Sequence, residues 1–170
     1  DLTDSAGAVV RFQYSDAREL SGLDWSEPDG TSRQRTYTYE QTGNPTLLTG
    51  IISETGQRYA TYTYDTAGRV QSTTHWSDAT HPVDTFTFTY PTPTTTHVTT
   101  PLGATLTYTS AVIAGIQRLT DSTQPCASCG GSDVQSRTYD ALGYPLTTVD
   151  FAGHTTRYTY DGVRGLETER

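Results

Sequence analysis

The 170-residue chain contains no lysine and no methionine, only two cysteines, and hydrophobic residues at 33% against the about 45–50% usual for globular chains on a count that includes glycine. Each shortage excludes something. With cations reduced to scattered arginines and a formal charge of −8, neither a phosphate backbone nor an anionic membrane surface is attracted, so nucleic acid is not an expected partner. No apolar run approaches the ~20 residues needed to span a bilayer, so neither membrane insertion nor a signal peptide at the start of this sequence is expected. With no methionine, the chain is expected to be a mature product or an excised piece.

What is present is threonine, 35 residues of it, and 12 tyrosines, both of which favour a pleated, half-wet surface. They alternate. From His154 to Asp161, Tyr158 and Tyr160 point one way while Arg157, Thr159 and Asp161 point the other, the period-two pattern of a half-buried strand. The same face pattern recurs in Val10, Phe12 and Tyr14, in Tyr37 and Tyr39, in Tyr62 and Tyr64, in Phe86, Phe88 and Tyr90, and in Leu106 and Tyr108. This predicts an all-β fold with a thin core and the aromatic face buried. No helix is expected, and Ser110–Leu119, β-branched at Val112, Ile113 and Ile116, reads as strand.

Two turn signals punctuate the strands. One is Asp-x-x-Gly, with Asp4 and Gly7, then Asp150 and Gly153; aromatics follow Gly7 and Gly153 five and seven residues on, Gly103 has Tyr108 at five, and Gly56 has Tyr62 and Tyr64 one residue late, as a bulge would place them. The other is Tyr-Asp/Glu ahead of glycine: Tyr39-Glu40 with Gly43, Tyr64-Asp65 with Gly68, Tyr139-Asp140 with Gly143, and Tyr160-Asp161 with a displaced glycine. Asp suits these positions because its carboxylate accepts from amides two residues on, and glycine because it takes positive φ without a Cβ clash. The spacings, 64 − 39 = 25 and 160 − 139 = 21, mark an array of supersecondary units. The expected organisation is therefore one array of hairpins over 1–170, with irregular loops near 77–84, 91–96 and 121–133.

Tyr64-Asp65-x-x-Gly68-Arg69-Val70, and Asp150-x-x-Gly153 leading to Tyr158-Thr159-Tyr160-Asp161, resemble the RHS or YD-repeat family, and the resemblance extends over nearly the whole chain. It departs where Glu40 replaces the Asp, where Asn44-Pro45 and Tyr144-Pro145 replace the Gly-Arg partners, where Ser110-Ala111 replaces Tyr-Asp, and where Arg164-Gly165 inverts the order; those turns are expected to differ in geometry. The resemblance implies a secreted or surface protein of bacteria whose antiparallel hairpins spiral into a hollow β shell, often around a C-terminal toxin. It also implies relatives among adhesion receptors and a self-cleaving aspartyl protease segment beyond the repeats, to which no stretch here corresponds.

Chemistry is expected to be absent. The acidic residues recur with the turns, whereas a catalytic constellation occurs once. Cys126-Ala-Ser-Cys129 fits a small loop disulfide, a pair of free thiols, or half of a zinc site lacking its other two ligands; the βαβ setting of a redox motif is missing. No calcium loop, cofactor fingerprint or metal set is recognisable, and Asn44 is followed by Pro45, which blocks N-glycosylation. The function expected is a non-enzymatic scaffold, extracellular or at the bacterial surface, partnered by further repeats or by copies of the chain through edge strands, and by an enclosed toxin. The alternatives are a carbohydrate-binding or adhesive surface, in which Trp25 and Trp76 would stack on a glycan, and a self-assembling extracellular fibre.

Overall fold

A computed structural model describes residues 1–5, 7–27, 29–123 and 134–170. Cys126 and Cys129 lie outside the described residues, as does most of the 121–133 loop. The described residues contain no helix, as the alternation predicts.

The strands are β1 (Leu2–Thr3), β2 (Val9–Tyr14), β3 (Leu20–Ser26), β4 (Ser32–Thr38), β5 (Gly50–Ile52), β6 (Arg58–Tyr64), β7 (Val70–Trp76) and β8 (Pro82–Thr92). They continue as β9 (Thr95–Thr99), β10 (Thr105–Ile113), β11 (Ile116–Ser122), β12 (Val134–Tyr139), β13 (Pro145–Asp150) and β14 (Thr155–Arg157), with β15 (Thr159–Tyr160) and β16 (Glu167–Glu169) forming a separate pair. In the fourteen-stranded order every strand lies beside its neighbour in sequence, and every register is antiparallel. The chain divides into two compact units, 1–87 and 88–170, the division falling inside β8.

Burial is shallow. Ala60 is the one fully buried hydrophobic residue among those described, and no large side chain is completely enclosed. The aromatic face is therefore half-buried rather than the buried face expected: Tyr62, Tyr64, Phe86 and Phe88 are partly covered, whereas Phe12 is 43% and Tyr14 63% exposed. Aromatics tolerate such partial cover because their edges and hydroxyls remain wettable.

Two stretches differ from the sequence reading. Of the proline-containing segment 91–96, only Pro93 and Thr94 lie in a turn, since β8 runs to Thr92 and β9 resumes at Thr95. Ser110–Leu119 is a hairpin rather than one strand. Ala114 and Gly115 both take positive φ (52° and 77°), the signature of a two-residue type I′ turn, and Ile113 pairs with Ile116 across it.

Candidate functional site: the repeated hairpin turn

The turn at Asp65 shows the unit. The Asp65 N–H donates to the Arg69 carbonyl at 2.8 Å, and the Gly68 N–H donates back to the Asp65 carbonyl at 3.0 Å, while Gly68 sits at φ 77°. This is a three-residue loop made of a type I turn and a left-handed residue in a G1 bulge. The Asp65 carboxylate lies over the loop: Oδ1 accepts from the amides of Ala67 and Arg69, each at 2.9 Å, and Oδ2 from Arg69 Nε at 2.8 Å. The Arg69 amide, the Arg69 guanidinium and the Ala67 amide hold this carboxyl below its ordinary range, because every one of them favours the charged form.

The same pair of backbone bonds closes loops beginning at Asp4, Ser15, Glu27, Ser53, Asp65, Thr100, Asp140 and Asp150. The fourth residue of each has positive φ: Gly7, Arg18, Gly30, Gly56, Gly68, Gly103, Gly143 and Gly153. Asp4 Oδ1 accepts from the Ala8 amide, and Asp140 Oδ1 from the amides of Leu142 and Tyr144. Asp150 repeats this with Ala152 and His154 and adds the His154 ring at 2.9 Å; that ring, then the His154 amide, lowers the Asp150 carboxyl.

Asp161 has the longer loop that the displaced glycine implies. Its N–H reaches Leu166 rather than the fourth residue on, and Gly165 supplies the positive φ. Tyr144-Pro145, expected to alter its turn, does not: Tyr144 is the closing residue and Pro145 begins β13 one step later, so no loop amide is lost. Ser110-Ala111 lies within β10 and makes no turn.

Glu40 does differ. A longer acidic side chain overshoots its own loop, and both carboxylate oxygens instead meet Arg58 Nη2 of β6 at 3.0 Å, which is the first cause of its lowered pKa. The connection between β4 and β5 is correspondingly longer, and Gly43 (φ 82°) belongs to a turn closed by the Asn44 amide on the Gln41 carbonyl.

The tyrosine of the motif has a task that sequence pattern does not disclose. Tyr39 Oη donates to the Leu20 carbonyl at 2.9 Å, Tyr64 Oη to the Leu48 carbonyl at 2.7 Å, and Tyr139 Oη to the Leu119 carbonyl at 2.8 Å. Each therefore clasps its hairpin to the preceding one, and burial at the clasp raises the Tyr39 and Tyr64 phenols. Tyr160 instead stacks on Tyr144, centroids 5.0 Å apart, joining the Asp140 and Asp161 turns. Tyr158 lies beneath the Arg170 guanidinium at 5.3 Å.

Behind three turns, a hydroxyl pair bridges the strands two residues before the aspartate and seven after it: Thr63 with Ser72 at 2.7 Å, Thr138 with Thr147 at 2.6 Å, and Thr159 with Thr168 at 2.8 Å. A register shift falls immediately before the tyrosine, between Thr63 and Tyr64 and between Thr138 and Tyr139. The shift re-aims the tyrosine toward its upstream acceptor.

Tyr14-Ser15 belongs to the series and escapes the motif as read from sequence. Its loop has serine for the acid, with the Glu19 amide donating to Ser15 Oγ at 3.2 Å, and Arg18 at φ 66° in the glycine position. The signal that finds it is spacing, since 39 − 14 = 25 and 64 − 39 = 25.

Comparison with solved structures finds chains from toxin complexes. One match is a chain in the structure of the Photorhabdus luminescens Tc holotoxin pore with a TccC3 mutation, at 16% identity and TM-score 0.47, covering 95% of this chain and 10% of that one. Another is a chain in the crystal structure of TcdB2-TccC3-Cdc42, also at 16% identity and TM-score 0.47, covering 92% of this chain and 10% of that one. The chain thus spans about a tenth of the length of the chains it matches. No protein-family model matches, and no curated protein matches in a sequence search.

The first unit also holds a cleft of about 470 Å³ beside Trp25, Asp24, Glu27 and Arg11. Trp25 Nε1 donates to Glu27 Oε1 at 3.2 Å, which fixes the indole plane, and Asp24 accepts from Gln13. Trp76 is anchored differently, its Nε1 donating to Thr61 Oγ1 at 3.0 Å. Among the described residues, no three His, Cys, Asp or Glu side chains are grouped to hold a metal ion.

Proposed function

We propose that the chain is a non-enzymatic scaffold, a segment of a secreted or surface RHS/YD-repeat protein whose hairpins form a wall around, or a support for, a C-terminal toxin or effector. The observation that carries this reading is the hairpin-to-hairpin clasp: the Tyr39, Tyr64 and Tyr139 hydroxyls each bind the backbone of the preceding unit. Such a bond serves extension of a sheet and offers no reactive group. The carboxylates of Asp65, Asp140, Asp150 and Asp161 are engaged by their own loops, which leaves them poor general bases. The test is to join the chain to its neighbouring repeats and a protease-sensitive reporter. A wall slows digestion of the reporter at least tenfold relative to the free reporter, and digestion at the free rate refutes enclosure.

A second reading rests on the Trp25 cleft. An indole held edge-on by Glu27, with Asp24, Arg11 and Ser32 around it, suits a neutral sugar, whose apolar face stacks on the ring while its hydroxyls bind the carboxylates. Saturable change of Trp fluorescence on a panel of oligosaccharides, lost in Trp25→Ala and kept in Trp76→Phe, would favour this reading. No change with any sugar would end it.

A further inference from the structure

The β10–β11 hairpin reaches past its neighbour on one side. β9 pairs with β10 only from Thr105 to Thr109, and a last bond runs from the Ser110 amide to the Thr94 carbonyl at 2.8 Å. Beyond it, Ala111–Ile113 pair with β11 alone among the described residues. The two-residue turn decides which backbone groups are left over. Ile113 and Ile116 close the turn as a mutually bonded pair, so Ala111 also faces β11, and Val112 alternates outward with Ser110. The outward Ser110 amide is the one that finds Thr94. Val112 has no such strand beside it, and its side chain is 69% exposed, with Ile116 57% exposed across the ribbon.

This arm ends the longest uncharged stretch of the chain, 85–117. Ser110 to Gln117, SAVIAGIQ, carries no charge, in a protein with 30 charged residues (11 + 19), and it has no proline. Natural sheets blunt open edges with lysine, proline or a cover, and this one has none of them at Val112. Two copies of a chain with net charge −8 repel wherever their acidic surfaces meet, and least where uncharged ribbons meet.

We propose that the β10 edge at Val112 is a homophilic docking strand that pairs antiparallel with the same edge of a second copy of this chain. A twofold axis through the contact sets Val112 opposite the Val112 of the copy, so that each N–H meets the other's carbonyl and the exposed valines cover one another. The surface is isologous and short, which makes the dimer weak and concentration-dependent. This inference stands apart from the wall reading, since a scaffold, a glycan binder or a fibre would each present the same edge.

Sedimentation velocity across a concentration series tests it, with Val112→Lys and Val83→Lys as paired variants. Val83 is 66% exposed and lies in the other unit. The expected result is a monomer–dimer equilibrium whose Kd rises at least tenfold in V112K and is unchanged in V83K. Lysine at either position takes the net charge from −8 to −7, so loss in V112K alone places the contact at the β10 edge. A wild-type monomer at all concentrations overturns the proposal, as does a Kd that moves equally in both variants. Binding of the monomer to phosphatidylcholine vesicles without dimerisation, abolished by V112K, would also overturn it and assign the edge to lipid. Far-UV circular dichroism of both variants confirms that the sheet is retained.

Discussion

Replacing Arg18 by glycine is expected to stabilise the protein, although it removes a side chain and adds chain freedom. Arg18 occupies the position at which its sister loops carry glycine, and its φ of 66° crowds Cβ against the following carbonyl. For an L-residue that conformation costs roughly 1–2 kcal/mol, and glycine returns about 0.5–1 kcal/mol of it through the larger entropy it loses on folding. The net gain is about 0.5–1 kcal/mol. No packing is forfeited, because Arg18 is exposed. The assay is urea denaturation followed by Trp fluorescence, which reports on the unit containing both Trp25 and Trp76, together with amide exchange at Ser15–Glu19. Arg18→Gly should raise the midpoint with unchanged slope and slow exchange at the turn, and the reciprocal Gly68→Arg should lower the midpoint by a similar amount. An Arg18→Gly midpoint equal to or below wild type would show that the left-handed residue is not strained there, and the equivalence of the two loops would fall with it.

Three other perturbations follow from the same geometry. Tyr64→Phe removes the bond to the Leu48 carbonyl and should cost about 1 kcal/mol in urea denaturation, with faster amide exchange in the preceding hairpin. Gly143→Ala should be more damaging than Gly153→Ala, although both have nearly equal φ (88° and 87°): a Cβ at 143 would come within 2.6 Å of Arg118 Nε and push that guanidinium off the Tyr139 ring, costing about 0.5–1 kcal/mol more, whereas position 153 faces open space. Acid should loosen the turns. Asp65, Asp150 and Asp161 have folded-state pKa values below their unfolded ones, so their contribution is complete above the unfolded value and disappears as pH falls through the folded one. Denaturation midpoints between about pH 5 and pH 2 should therefore fall on acidification, and Asp65→Asn should flatten that slope; an identical slope would separate acid sensitivity from this turn.

Strand periodicity and most turn positions were legible in the residues because both follow from local rules. Alternation fixes which side chains share a face, and an aspartate three residues before a glycine needs no tertiary information to form its loop. Depth of burial was not legible, since a row of tyrosines reads alike whether a second layer covers it or not, and here Phe12 and Tyr14 remain largely open. The Ala114-Gly115 turn was hidden by an apolar run, where β-branched residues on both sides of Gly115 favour strand so strongly that the break is masked. The Tyr64 clasp could not be read because its acceptor is a backbone carbonyl, which leaves no mark in the amino-acid alphabet. Arg18 shows the converse: a residue that local rules disfavour is held in place by the strands on either side.

That invisibility of the clasp acceptor bears on how such a chain can change over generations. Tyr39, Tyr64 and Tyr139 reach 19, 16 and 20 residues upstream, so the linkage tolerates several residues of growth or loss in the intervening loop. Every residue owns a carbonyl, and so the upstream partner is free to drift. A gene encoding such units can copy one, delete one or exchange one with a distant cousin, and the new neighbour will still be grasped by the tyrosine that follows it. Selection then acts on a handful of letters per unit, the phenol, the turn acid and the left-handed residue, while the outward positions are left open for whatever each lineage needs to meet.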